Sequence, residues 1–340
     1  MKTLYILMIV LAFTKVSAQD CASAEDCLQK GINTYYNEPA LKFIDKAIKL
    51  AKKENKNLSN YYMQRGIKYY NHNEPSIKEA ERDFKSAIEA DSKNFWPHMW
   101  LANVYCYKQK DLKKASDYLT SVLGNFNNDP RIFYERSQMY RWFNQTDMAA
   151  TDMEMAYNML LEDASQVDEG RRVDIIMWTA MMNLQKKKKH VADEESVKIM
   201  EAGLTLAPKS AKLLGALALG YYDIDNMPKA AEFGDRANAI STNNVGGQLF
   251  DAMKLQGEKN LQGAYNAALR ALQTDISDHP MVHYMFAITH WELLVAKNPN
   301  AWWAYKEGIR KSMEKCYWNG SGTKYNQYAA WANENLAKVK

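Results

Sequence analysis

The chain is poor in the residues that interrupt helices: of its 340 residues only 15 are glycine and 8 are proline. A turn-rich all-β fold or a low-complexity disordered chain would need more of both. It holds four cysteines, none in a C-x-x-C pair, which removes zinc ribbons and dithiol redox motifs. A large excess of one charge sign is also missing. The formal net charge is +4, weak for a nucleic-acid binder of this size. There is no G-x-x-x-x-G-K-[ST] or G-x-G-x-x-G pattern to cradle phosphates, and no G-x-S-x-G nucleophile elbow.

The composition that remains is that of a chain that buries a core, 47% hydrophobic and 25% charged. Tyrosine (21), tryptophan (9) and methionine (18) are plentiful; they pack helices and also make good contact surfaces. The amino terminus reads as a secretory signal over residues 1–18. Lys2 gives a positive start, Leu4 to Phe13 is apolar, and Val16-Ser17-Ala18 offers small residues before a cut that leaves Gln19 first. Lys15 interrupts the apolar stretch short of the roughly 20 residues of a membrane-spanning helix. Losing Lys2 and Lys15 lowers the net charge from +4 to +2. Cys21 follows closely, but Ala18-Gln19-Asp20 lacks the small residue that lipidation needs just before its cysteine. No second apolar run of spanning length follows, so the expectation is an exported, soluble protein, periplasmic or secreted, without a transmembrane segment. There Cys21 and Cys27 are placed for a local disulfide, while Cys106 and Cys316, on apolar helical stretches, read as buried small hydrophobes.

Periodicity is the strongest signal. A small residue is followed by an aromatic three later, then, after a turn, by Ala, a bulky residue four on and a small one three on. Ser137, Tyr140, Ala149, Met153 and Ala156 fit throughout. Ala218, Tyr221, Ala230, Gly234 and Ala237 miss only the bulky slot; Ala252, Leu255, Ala264, Ala268 and Ala271 miss two. Gly66, Tyr69, Ala80, Phe84 and Ala87, and also Ala102, Tyr105, Ala115, Leu119 and Val122, fit with extra residues assigned to the turn. Gly31 leads to Ala40, Ile44 and Ala47, and Ala287 (with His290 in the aromatic slot) to Ala301, Tyr305 and Gly308. The first small residues, 31, 66, 102, 137, 218, 252 and 287, are spaced by 35, 36, 35, 81, 34 and 35. The long interval holds a diverged unit, Ala180, Ser196, Met200 and Gly203, with additions in 161–172 and 186–195.

A period near 34 built from two helices resembles the tetratricopeptide repeat family, and the resemblance runs from about Ala24 to the carboxyl terminus. It implies an all-α, right-handed superhelical solenoid over residues 19–340, with about eight helix-turn-helix units and a capping helix in Tyr325–Lys340. Breakers fall where connectors are expected: Asn37-Glu38-Pro39, Asn128-Asp129-Pro130, Ala207-Pro208, Asp278-His279-Pro280 and Asn298-Pro299. In this family the first helix of each pair lines a groove that takes an extended peptide or a partner's helix. Counting helical turns from the small residues places Met63, Ile67 and Tyr70, then Met99, Asn103 and Tyr107, on that face. Tyr134, Gln138, Arg141 and Trp142 follow, and later units add Tyr222, Met253, Tyr284 and Trp291. Some members clamp a terminal carboxylate with Lys, Asn and Arg; here only Asn103 and Arg131 match, so that activity is not implied.

Other constellations read as structure. His279, His283 and His290 form the best metal candidate, but His279 precedes a proline and His290 occupies a packing slot. Asp223-x-Asp225-Asn226 begins like a calcium loop, yet Pro228 and Gly234 stand where glycine and glutamate are needed. Lys186-Lys187-Lys188-Lys189-His190 suits a helix carboxyl terminus and is followed by acids. The functional expectation is a non-catalytic scaffold without cofactor or metal, binding a protein or peptide partner in the envelope of a bacterium. The alternative is glycan or nutrient capture, on a partial resemblance to repeat-containing outer-membrane starch-binding proteins.

Overall fold

A computed structural model describes residues 21–35, 37–72, 76–187, 189, 191–274, 279–297 and 306–336. The signal-type segment 1–18, Lys188, His190, Asp278, Asn298, Pro299, Ala301 and Tyr305 lie outside these described residues.

Local chemistry sets the helix ends. Side chains of Ser23, Asp111, Asp129, Asp168, Asp193, Ser210, Asn226, Asn244 and Asn260 each accept a backbone N–H in the first turn of the helix that follows. Asp193 and Ser196 do so reciprocally. Asn55, Asn127, Asn128, Asn144 and Asp225 take positive φ in the turns between helices, the conformation that short polar side chains tolerate best.

Among the described residues, 17 α-helices result, in two compact units divided after Asn128. The first unit holds α1 (Ala24–Asn33), α2 (Asn37–Lys53), α3 (Ser59–Tyr70), α4 (Ile77–Ala90), α5 (Phe95–Asn103) and α6 (Leu112–Val122). The second holds α7 (Pro130–Trp142), α8 (Thr146–Glu162), α9 (Glu169–Lys186), α10 (Glu194–Gly203), α11 (Ala211–Asp223) and α12 (Met227–Ile240). It continues with α13 (Val245–Gly257), α14 (Leu261–Leu272), α15 (Pro280–Lys297), α16 (Lys306–Gly320) and α17 (Asn326–Leu336). Each odd-numbered helix up to α15 packs on its successor, and within each unit second helices pack on the first helix of the next pair, as α2 on α3 and α12 on α13. Each unit is tetratricopeptide-like, with three helix pairs in the first and five in the second, where α17 covers α16 and α15.

The repeat residues sit at the crossings, except Gly308, which is exposed with nothing near its Cβ direction; Ile309 and Met313 are buried there instead. A Cβ on Gly66 would lie 2.7 Å from the ring of Phe84, and one on Gly31 would lie 2.5 Å from Ile44. The small slot therefore faces the bulky slot of the same pair, and both are buried. Ser137 is the same device with a hydroxyl, which donates to the Ala149 carbonyl across the crossing at 2.8 Å. Where the bulky slot is Gly234, Phe250 from α13 comes within 3.2 Å of its Cβ direction.

Two expectations are corrected. The extra residue between Ala102 and Ala115 is not in the turn. It is taken up inside the helix as a π-helical turn, Val104–Lys108, where the Gln109 N–H donates to the Val104 carbonyl. Asn37-Glu38-Pro39 is no connector but the first turn of α2, where a proline sacrifices no helical hydrogen bond.

One recurring polar device was not apparent in the spacing. Arg65, just before Gly66, forks onto Asp83 at 2.6 and 2.7 Å, and Arg136, just before Ser137, forks onto Asp152 at the same distances. Each aspartate immediately precedes the bulky slot of the second helix, and both are buried. Removing one partner strands a desolvated charge. Asp152→Ala is expected to cost about 3–5 kcal/mol in urea unfolding, with Arg136→Met/Asp152→Leu recovering most of it. A single-variant loss below about 1 kcal/mol contradicts this role.

Cys21 and Cys27 are disulfide-bonded, with Cα atoms 5.2 Å apart. Cys106 and Cys316 are free and buried, and burial pushes their thiols up to about 11 and about 12. A thiol reagent at pH 8 should label none of the four cysteines in the native protein and two after denaturation without reductant; native labelling overturns the burial.

Candidate partner-binding surface

The residues displaced from the small slot by −3, +1, +4 and +5 share one face of each first helix. In the second unit this face opens into two clefts. The first has a volume of about 520 Å³. Arg141 of α7 lines it, with Met177, Trp178, Met181, Leu184 and Gln185 of α9 and Leu219 and Asp223 of α11. Met200 and Ser196 of α10 add to the lining, as do His279 and Asn319. Arg141 is the +4 residue of Ser137, Met177, Met181, Leu184 and Gln185 hold all four offsets from Ala180, and Leu219 and Asp223 hold two from Ala218.

The cleft has an apolar wall with charge confined to defined points. The Arg141 guanidinium lies 3.4 Å over the Trp178 ring and donates to the Gln138 side-chain oxygen at 2.6 Å. At the other side Lys189 pairs with Asp193 at 2.8 Å, and Lys187 bonds Asp193 and Glu195 at 3.0 and 2.6 Å. Burial alone would raise the Asp193 carboxyl, but bonds from Lys189, the Ser196 N–H and Lys187 outweigh it and hold the group well below the usual range. Lys187 and Lys189 of the basic run are thus matched by the acids that follow them.

Asp223 is the cleft's structural anchor. One carboxylate oxygen accepts His279 Nε2 at 2.8 Å and the Tyr325 hydroxyl at 2.5 Å, and the other accepts the Ala192 N–H at 2.7 Å. His279 Nδ1 in turn accepts the Met281 N–H at 3.2 Å, so by the network the ring proton sits on Nε2. With both nitrogens engaged, the His279 ring has no free lone pair to act as a base. Tyr325 is buried, and its hydroxyl is pushed far up by desolvation and by Asp223. Lys324 donates to the Tyr222 and Asp223 carbonyls at 2.7 and 3.0 Å, closing the carboxyl end of α11.

The second cleft, about 890 Å³ and more open, lies among α13, α15 and α17. Met253, Gln256 and Gly257 occupy offsets +1, +4 and +5 from Ala252, and Tyr284, Trp291 and Glu292 occupy −3, +4 and +5 from Ala287.

The other sequence-derived positions are placed as follows. Met63 and Met99 are buried and pack within the first unit. Ile67, Asn103 and Tyr107 are half-buried. Tyr70 meets Trp100 edge-on at 5.4 Å, under the Lys108 ammonium at 4.3 Å. Tyr134, raised to about 12 by burial, lies 5.1 Å from the Arg171 guanidinium. Among the described residues, nothing bonds the buried amide nitrogen of Gln138. Trp142 is 64% exposed. Tyr222 lines neither cleft; it packs between Phe250 and Tyr325 at 5.7 and 6.1 Å. Arg131, one of the two carboxylate-clamp matches, is held by Asp129. The residues that sequence counting missed, Met177, Met181 and Leu184, follow from the same offsets applied to Ala180 in the diverged unit.

No protein-family model and no curated protein matches this chain. Solved structures resemble it at low identity. Yeast Tom70 is 15% identical over 96% of this chain and 66% of its own length, TM-score 0.47. Pseudomonas aeruginosa pilF is 15% identical over 70% and 97%, TM-score 0.46. A tetratricopeptide repeat protein from Parabacteroides merdae is 15% identical over 78% and 98%, TM-score 0.44.

Asp223→Ala removes the acceptor of three donors from three segments. It should lower stability by about 3 kcal/mol and speed amide exchange most in α17 and the first turn of α15. Exchange raised evenly across the second unit contradicts an anchoring role for Asp223.

Proposed function

We propose that this chain is an exported, non-catalytic binding protein that holds an extended segment of a partner protein on the first-helix face of its repeats. One observation carries the reading. The first cleft draws residues at these offsets from three successive first helices, one on α7, four on α9 and two on α11, so its lining runs along the stacking direction as an extended segment does. Stacked helix-pair repeats characteristically present such surfaces to partners. Met177, Met181 and Met200 supply a deformable apolar lining, suited to a bulky side chain of the segment, and Arg141 beside Trp178 supplies a polar edge. The Cys21–Cys27 disulfide fits an oxidising compartment, which supports export through residues 1–18. Saturation of both His279 nitrogens supports a role without catalysis.

Displayed random peptides selected on the protein from Gln19 onward test this. The expected outcome is a consensus with a bulky apolar anchor, its affinity reduced at least tenfold, about 1.4 kcal/mol, by Met181→Arg. No enrichment, or binding indifferent to that change, sinks the reading. Glycan-array binding in its place would favour the capture alternative.

A further inference from the structure

The second cleft differs chemically from the first. Three aromatic side chains, Tyr284, Trp291 and Tyr328, line it together with Met253, Met281 and Met285. Tyr284 stands 4.5 Å from Tyr328, tilted by 44°, and 5.1 Å from Trp331, edge-on. Tyr284, Trp291 and Glu292 recur at helical spacing along one face of α15, so the rings and one carboxylate open into the same space. Among the described residues, the hydrogen bond that Glu292 accepts comes from a neutral group, the Gln256 amide at 3.2 Å. That bond orients the carboxylate without cancelling its charge. Burial first, then Tyr328 and the Glu292 charge, push the Tyr284 hydroxyl up to about 12.

Aromatic faces carry negative quadrupole charge, and a carboxylate beside them adds to the field, so such a cleft favours a cation. The absence of several acceptors matters as much. A bare ammonium brings three N–H donors that need partners, and one carboxylate cannot satisfy them. A trimethylated ammonium brings none, and its methyl groups pack on rings and thioethers. We infer that the cleft among α13, α15 and α17 binds a quaternary ammonium group, as in a choline-type solute or lipid headgroup. Lys259, exposed at the rim, opposes the cation and limits the affinity.

Choline is the probe, its N-methyl protons followed by saturation-transfer NMR at constant ionic strength. The expected result is saturable binding, weakened about tenfold by Glu292→Gln and by Tyr284→Leu, and tightened two- to threefold or so by Lys259→Gln. The neutral isostere 3,3-dimethylbutanol should bind at least tenfold more weakly. Tyr284 packs on Tyr328 and Trp331, so its variant counts only if its circular dichroism is native; Glu292→Gln keeps an oxygen to accept from the Gln256 amide, and Lys259→Gln alters a rim side chain. Co-sedimentation with phosphatidylcholine vesicles, lost in Glu292→Gln, would assign the group to a lipid headgroup, and binding to free choline alone would assign it to a solute. Binding to neither, or an isostere that binds as well as choline, overturns the inference.

Discussion

Two α-helices can run side by side at close distance only if one yields its side chain where they cross. Everything else in this chain depends on that constraint. At Gly66 there is room for the Phe84 ring and for nothing more, and at Gly31 for Ile44. Because the small residue must recur at each crossing, the repeat period is fixed. Because the helix is regular, every other face of the first helix is then set at a known offset from it. The partner helix buries one side and the next pair covers another. What remains is the strip in which both clefts open.

The polar interactions divide by purpose. The Arg65–Asp83 and Arg136–Asp152 forks lie next to the crossing residues in their own pairs. Their net contribution over an apolar filling is small, but a slipped register would leave a buried charge alone, so they penalise the wrong pairing of two similar helices. Asp223 acts over a longer range. It gathers Ala192, His279 and Tyr325, up to 102 residues away in the chain, and ties the terminal helix α17 to the middle of the second unit.

The two clefts show how one scaffold hosts different chemistries. Both use the same backbone positions. In one, methionine and leucine with an arginine stacked on tryptophan make an apolar wall with a cationic edge; in the other, three aromatic rings and a glutamate make an electron-rich one. The side chains at four offsets per repeat change the surface without touching the crossings, so binding properties and fold are specified by separate residues.

Much of this was legible in the order of residues alone. The eight pairs, the terminal helix, the buried Cys106 and Cys316, and the small and bulky slots follow from periodicity, because a crossing constraint repeats and therefore leaves a countable trace. The π-helical turn at Val104–Lys108 was not legible, since an inserted residue has the same effect on spacing in a helix as in a turn. Nor was the choice among face residues. Met99 and Tyr222 occupy face offsets like Met181 and Trp291, yet the first pair is covered by neighbours and the second opens into clefts. The Asp223 anchor left no trace at all, because it joins residues from distant repeats that share no period. Sequence by itself determined what recurs, the helices and their pairing; only the tertiary structure decided what does not, which face stays open and which distant groups meet there.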